Sequence, residues 1–239
     1  MITTVFLDND GVLVDTERCY CEANQETCRR YGYELSRAEY QRLFLSSGTG
    51  LREVASLLGW SKDMLSTVRS ERDRLYETLL RTRDIAISGV REGLLRLSTR
   101  FSLCVVTSSP RPFFDIIHDR TGFAGFFTAV VSEEDVVRHK PDPEPYRVAM
   151  TKTGTLPENG LAVEDSARGM RSALAAGLRC AVVPRDLTRD QDFSGAAAVV
   201  PLFQDVVSFI ERIARNGTPD TRPLIAETKS QPFSGRNGA

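Results

Sequence analysis

Two carboxylates, Asp8 and Asp10, stand one residue apart at the end of a short apolar run, Val5-Phe6-Leu7, with Gly11 directly after them. Side chains two apart on a strand point the same way, so these acids repel unless the strand stops and a turn lets both lean toward one guest. A divalent cation or a phosphoryl group is such a guest, and Gly11 supplies the backbone freedom for the turn. An Asp-Asn-Asp-Gly string is also an ordinary polar loop. Its chemistry therefore depends on what other segments bring to it.

Three other apolar runs end in groups that suit the same guest. The run Leu103–Thr107 leads into Thr107-Ser108-Ser109, Ala129–Ser132 leads into the loop carrying Lys140, and Leu161–Val163 ends in Glu164-Asp165. In an open parallel sheet, ligands sit at the carboxyl ends of the strands. Each group alone is what a chain shows on surfacing from a core, or on opening a helix with favourable charge. Together they place acids, hydroxyls and one ammonium around a common point, the set that handles a phosphate with a magnesium ion. Lys140 is chemically pointed, because the chain has four lysines against twenty-seven arginines. A compact ammonium neutralises a carboxylate and a phosphoryl oxygen at one point, which a guanidinium does less well.

The elements that must position these groups follow from hydrophobic patterning. Short apolar or β-branched runs at Thr4–Leu7, Leu103–Thr107, Ala129–Ser132, Leu161–Val163, Cys180–Val183 and Ala197–Val200 alternate with helical segments, which predicts an α/β fold with a parallel sheet. Pro143 and Pro145 open one helix, and Ser166 caps another that runs to Gly177. Residues 15–89 break the rhythm: helical patterns, almost no strand signal, and punctuation at Gly32, Ser47–Gly50 and Gly59–Ser61. The expected organisation is a core from 1–14 and 90–215, a small α-helical cap over 15–89 inserted after the first strand, and a flexible tail over 216–239.

Bulk properties narrow the class. The 239 residues are 41% hydrophobic with a formal net charge of −1, enough for one α/β domain and a smaller one, with no surplus to hold a polyanion. Nucleic acid is not an expected partner, and no run is long enough to span a membrane. The N-terminus enters a strand at once, without the pattern of a secretion signal, so the expected location is cytoplasmic. Five cysteines, an odd number, do not form a disulfide framework. Cys19, Cys21 and Cys28 lack zinc-site spacing and are read as reduced helical residues.

The ordered motifs resemble those of the haloacid dehalogenase superfamily, in the branch that holds β-phosphoglucomutase and small sugar-phosphate phosphatases. Asp8–Glu17 is similar to the family's first motif and Val105–Ser109 to its second. His139-Lys140-Pro141-Asp142-Pro143 is similar to the third, and Val163–Ser166 with Gly169 and Ala175-Ala176-Gly177 to the fourth. The likeness covers about Ile2–Glu17 and Phe101–Val183; the insert agrees only in place, length and helical character. It implies a Rossmann-like, doubly wound core with the helical cap. It further implies that Asp8 attacks phosphorus to form an aspartyl phosphate, while Asp10 protonates the leaving oxygen and later deprotonates water. Thr107 and Lys140 would hold the phosphoryl oxygens, with Ser108 beside them. Mg2+ would be held by Asp8, the backbone carbonyl of Asp10 and Asp165, with Glu164 as an additional acid. Asp10 favours phosphoester over halide chemistry, because an alkoxide leaving group needs a proton and a halide does not.

In the insert, Gly48-Thr49-Gly50 and Arg52 are candidate substrate contacts, although the same residues also serve to start a helix. Gly48-x-Gly50 lacks a third glycine and a preceding strand, which excludes a dinucleotide fingerprint. The expected activity is a Mg2+-dependent phosphatase acting on a small phosphorylated metabolite, a sugar phosphate, as a monomer or weak dimer. A phosphomutase shares every core residue, and a non-enzymatic binder of a phosphorylated ligand would have no use for Asp10.

Overall fold

The computed structural model describes residues 1–216 and 224–225. Seven strands form one parallel sheet: β1 (Thr4–Leu7), β2 (Ser102–Val106), β3 (Ala129–Val131), β4 (Gly160–Glu164), β5 (Arg179–Val182), β6 (Ala198–Val199) and β7 (Leu224–Ile225). Their order is β3-β2-β1-β4-β5-β6-β7. Successive crossovers run outward on one side of β1 and then outward on the other, so a crevice opens between the ends of β1 and β4 where the winding reverses. Asp8 follows β1, and Glu164 closes β4, so the acids flank that point.

The sheet is buried on both faces, as its near-continuous apolar strands require. Val5, Leu7, Leu103, Val105, Leu161 and Val163 pack against α5 (Val90–Ser98) and α9 (Phe203–Asn216). The alternate residues Phe6, Cys104, Val106, Ala162, Cys180 and Val182 pack against α7 (Glu144–Thr153) and α8 (Ala167–Ala175). Helix α6 (Arg111–Thr121) places Phe114 in the first of these layers. This is the α/β, doubly wound sheet that the sequence pattern and family likeness imply.

Between β1 and α5 lie α1 (Glu17–Arg30), α2 (Arg37–Tyr40), a π-helical stretch Gln41–Ser46, α3 (Leu51–Leu58) and α4 (Lys62–Thr82). Their apolar faces meet in two clusters, one around Tyr40, Leu43, Val54 and Val68 that also takes in Leu187, and another around Ala23, Tyr76 and Leu80 that also takes in Ile117 of the helix after β2. The two connections to the sheet run side by side: Val14 bridges Ala86, and Asp15 donates its N–H to Ile85 at 2.9 Å. The return connection thus passes Ile85–Ala86, a few residues before 89, where the expected cap ends.

Two other details differ from the sequence reading. Thr107 falls one residue beyond β2, and the Ser166-capped helix stops at Ala175, with Gly177 at φ +87° turning the chain. The flexible tail expected over 216–239 lies outside the described residues, apart from Asn216 in α9 and the two-residue β7. Leu94 of α5 is fully buried against the sheet. Leu94→Ala is expected to lower the unfolding free energy by about 2–5 kcal/mol in urea denaturation. A loss below about 1 kcal/mol would contradict this packing.

Candidate active site

The loop after β1 is built by its own backbone. Asp8 N–H extends the ladder to Val163 at 2.9 Å, and the carbonyl of Asn9 accepts from Leu13 at 2.8 Å and from Val14 at 3.2 Å. Sequence reasoning assigns Asn9 no role, and the fold gives it one. Its side chain is fully buried and its Oδ1 lies 2.8 Å from His118 Nε2, while Thr121 Oγ1 lies 3.3 Å from His118 Nδ1. A neutral imidazole donating to Asn9 and accepting from Thr121 satisfies both contacts. Gly11 has φ +86°, and a Cβ there would stand 2.4 Å from Asp165 Oδ2, so only glycine lets the loop approach that acid.

Lys140 is buried, and its ammonium uses all three donors: 2.7 Å to Asp8 Oδ1, 2.7 Å to Glu164 Oε1 and 2.8 Å to the Val106 carbonyl. The Tyr146 hydroxyl also donates to Glu164 Oε1, and its ring lies 5.4 Å from the ammonium. Burial works against the charge on Lys140, but Asp8 and Glu164 outweigh it and hold the ammonium above its ordinary range. Burial pushes the Asp8 carboxyl up to about 8 against the pull of Lys140, with Glu164 and Asp10 adding to the rise. Asp165 is raised well above the carboxylate range by burial and by the neighbouring charges of Asp8 and Glu164.

Asp8, Glu164 and Asp165 each offer a carboxylate oxygen within 4.8 Å of the others'. Three buried acids facing one ammonium leave negative charge uncompensated, and their hard oxygen donors suit a divalent cation such as Mg2+. The residues present therefore fit that ion. Glu164 differs from its two neighbours in being shared with Lys140 and Tyr146 and in lying against the start of α8. A Cβ on Gly169 would come 1.9 Å from its Oε2.

Asp10 faces away from this cluster, into a cradle of hydroxyls. Ser109 Oγ donates to Oδ2 at 2.9 Å and Thr107 Oγ1 at 3.2 Å, while Thr16 at the head of α1 donates to Oδ1. The carboxylate of Asp10 thus contributes nothing to the acid cluster; only its backbone carbonyl is left as the ligand implied by the family likeness. Thr107 stands behind Asp10, 3% exposed, with its hydroxyl spent on that acid. Ser108 and Ser109, rather than Thr107, line the open cavity.

That cavity, about 770 Å³, lies between the sheet ends and the helical insert and includes Asp8, Asp10, Lys140, Glu164 and Asp165. Gly48 and Arg52 line it from the insert, some way in sequence from any strand end. Gly48 has φ +69°, and a Cβ on it would stand 3.1 Å from Arg168 Nη1, so the turn and the head of α8 approach closely here. Sequence reasoning missed Thr16, Tyr146 and Glu17. Thr16 and Glu17 lie within the first motif and were readable there; Tyr146 is marked by nothing but its place in a helix.

A family model described as haloacid dehalogenase-like hydrolase matches residues 5–183. A protein of Thermotoga maritima named phosphorylated carbohydrates phosphatase is 32% identical over 183 residues, 73% of this chain and 81% of that one. The crystal structure of CbbY from Rhodobacter sphaeroides in complex with phosphate has a TM-score of 0.76 at 26% identity, covering 86% of this chain and 96% of that one. The same protein, as a mutant in complex with xylulose 1,5-bisphosphate, gives 0.75 at 26%, covering 85% and 95%. The chain belongs to the haloacid dehalogenase-like hydrolase family, in its sugar-phosphate phosphatase branch. As an enzyme it falls among that family's phosphoric monoester hydrolases.

Burial pushes the His118 imidazole down to about 4 from the usual 6.5. Above pH 6.5 both folded and unfolded chains keep the ring neutral. Between 6.5 and 4 the unfolded chain takes up a proton that the folded one refuses, so stability falls with falling pH by up to about 1.4 kcal/mol per unit. Unfolding titrations of the wild type and His118→Gln should diverge across this window. Parallel profiles would show that the ring is not held neutral against Asn9.

Proposed function

We propose that the protein is a Mg2+-dependent phosphatase that hydrolyses a small phosphorylated metabolite, a sugar phosphate, through an aspartyl phosphate on Asp8. The observation that carries this reading is the fixing of Asp8 by Lys140 at the cavity floor, with Asp10 two residues away on the same loop. Lys140 takes Oδ1, and among the described residues no side chain donates to Oδ2. That second oxygen is free to attack.

The reaction balances with two acids. An Asp8 oxygen forms a bond to phosphorus while the ester oxygen leaves, and Asp10 gives that oxygen a proton. Asp10 then takes a proton from water, whose oxygen bonds to phosphorus as the bond from phosphorus to the Asp8 oxygen breaks, so inorganic phosphate leaves and the Asp8 carboxylate is restored. Thr16, Thr107 and Ser109 orient Asp10 for both transfers. Lys140 offsets charge on Asp8 and on the arriving phosphoryl oxygens, with Thr107 and Ser108 positioned at the same strand end. Asp8, the Asp10 carbonyl and Asp165 would hold Mg2+, with Glu164 supporting the cluster. When bound, the cation cancels the repulsion that otherwise keeps a carboxylate from a phosphate dianion.

Two features support an anionic, sugar-sized substrate. Arg52 and Arg69 from the insert and Arg168 from α8 line the cavity, and none forms an ion pair among the described residues. The relatives carry the same indication, since one is named for phosphorylated carbohydrates and another holds a sugar bisphosphate. The insert would then act as a cap, its helices closing over the substrate and excluding bulk water. None of the helices among the described residues is long and apolar enough to cross a membrane. With Mg2+ present, the enzyme should release phosphate from some members of a sugar-phosphate panel, and Asp8→Asn should lower kcat by about 10³-fold or more. Turnover retained within tenfold in Asp8→Asn, or isomerisation with no free phosphate, would overturn the reading.

A further inference from the structure

His118 is a buried ionisable side chain that no step of the proposed reaction uses, yet it bonds the residue that separates the nucleophile from the acid. Asp8 and Asp10 both line the cavity, whereas the side chain of Asn9 between them turns to α6, where it is fully buried. Its Oδ1 meets His118 Nε2 at 2.8 Å, and its Nδ2 has no partner among the described residues. One hydrogen bond from one side chain is therefore all that satisfies this amide among the described residues.

His118 is itself fixed from several directions. Its ring centroid lies 4.2 Å from that of Phe114 and 5.4 Å from that of Phe127, the latter edge-on, and Thr121 occupies its other nitrogen. The helix that carries it is braced against the insert. Phe113 meets Tyr76 of α4 edge-on at 5.0 Å, and Ile117 joins the cluster of Tyr76 and Leu80. Arg120 donates to the Leu80 carbonyl and, at 3.0 Å, to that of Arg83. At its other end α6 starts at Arg111, just after Ser109, whose hydroxyl donates to Asp10. One helix thus anchors Asp10 from its N-terminal side and Asn9 from its last turn.

A buried amide that loses its only donor strands its oxygen or turns toward water. Turning moves the backbone that joins Asp8 to Asp10, and a misplacement of reacting groups by about 1 Å costs roughly a hundredfold in rate. We infer that His118 is a positioning residue for phosphoryl transfer: its hydrogen bond keeps the Asn9 side chain seated against α6 and so holds Asp8 and Asp10 in their shared orientation. This rests on the phosphatase reading and adds to it a group that touches no substrate.

The test is steady-state kinetics with Mg2+ on the sugar phosphate of a panel that the wild type turns over fastest, at a temperature where circular dichroism shows each variant folded. His118→Phe keeps a ring and removes the donor, and its kcat should fall about ten- to a hundredfold with KM within about threefold of wild type. Asn9→Leu combined with His118→Phe should recover most of that loss, because an apolar pair strands no polar group. If His118→Phe does not fold, His118→Met and its double variant with Asn9→Leu make the same comparison. A folded single variant with kcat within about threefold of wild type, a loss carried by KM, or a double variant no faster than the single overturns the inference and leaves the phosphatase reading intact. Wild-type protein that releases no phosphate from any member of the panel removes the reading beneath it, and the inference with it.

Discussion

The buried ammonium of Lys140 is the interaction on which the rest of the site depends. Its three hydrogen bonds join the ends of three strands: Asp8 after β1, Val106 at the end of β2 and Glu164 at the end of β4. Without a cation there, two buried carboxylates would face each other uncompensated, at a cost of several kcal/mol. The acids in turn keep the lysine charged in a place where burial alone would neutralise it. The arrangement still leaves a third acid, Asp165, with no ion pair among the described residues, and a divalent cation suits that deficit.

Much of the fold exists to hold these groups at one rim. Reversal of the winding between β1 and β4 brings Asp8 beside Glu164, and glycines make the close approaches possible. Gly11 lets the loop reach Asp165, and Gly169 lets α8 start directly against Glu164. The insert is tied to the same rim through Thr16, which donates to Asp10, and within the insert Tyr40 at the end of α2 donates to Glu17 at the head of α1. The loop after β5 reaches back as well. Arg185 donates to the Gly11 carbonyl at 2.6 Å, while Leu187 packs in the Tyr40 cluster of the insert. The catalytic loop and the insert therefore share supports on both sides of the cavity.

The strands, their parallel order and the groups at their ends were legible because buried strands are short apolar runs and polar residues after them stand out. Lys140 was legible for a compositional reason, as a rare lysine in an arginine-rich chain. What escaped was pairing across long stretches of sequence. Tyr146 meets Glu164, His118 meets Asn9, and Tyr40 meets Glu17, and none of these pairs leaves a local pattern. Burial of a polar residue with its partner is a tertiary fact, and periodicity reads it only as a break in an apolar face. Thr107 illustrates the same limit: its place at a strand end was readable, but not that its hydroxyl turns to Asp10.

The most direct test of the account is diffraction from crystals grown with Mn2+ in place of Mg2+, measured for anomalous signal. The account predicts one strong peak in contact with the carboxylates of Asp8 and Asp165, with Lys140 still bonded to Asp8. A peak elsewhere, or an Asp8 that turns from Lys140 into a separate cleft when the ion is supplied, would contradict it.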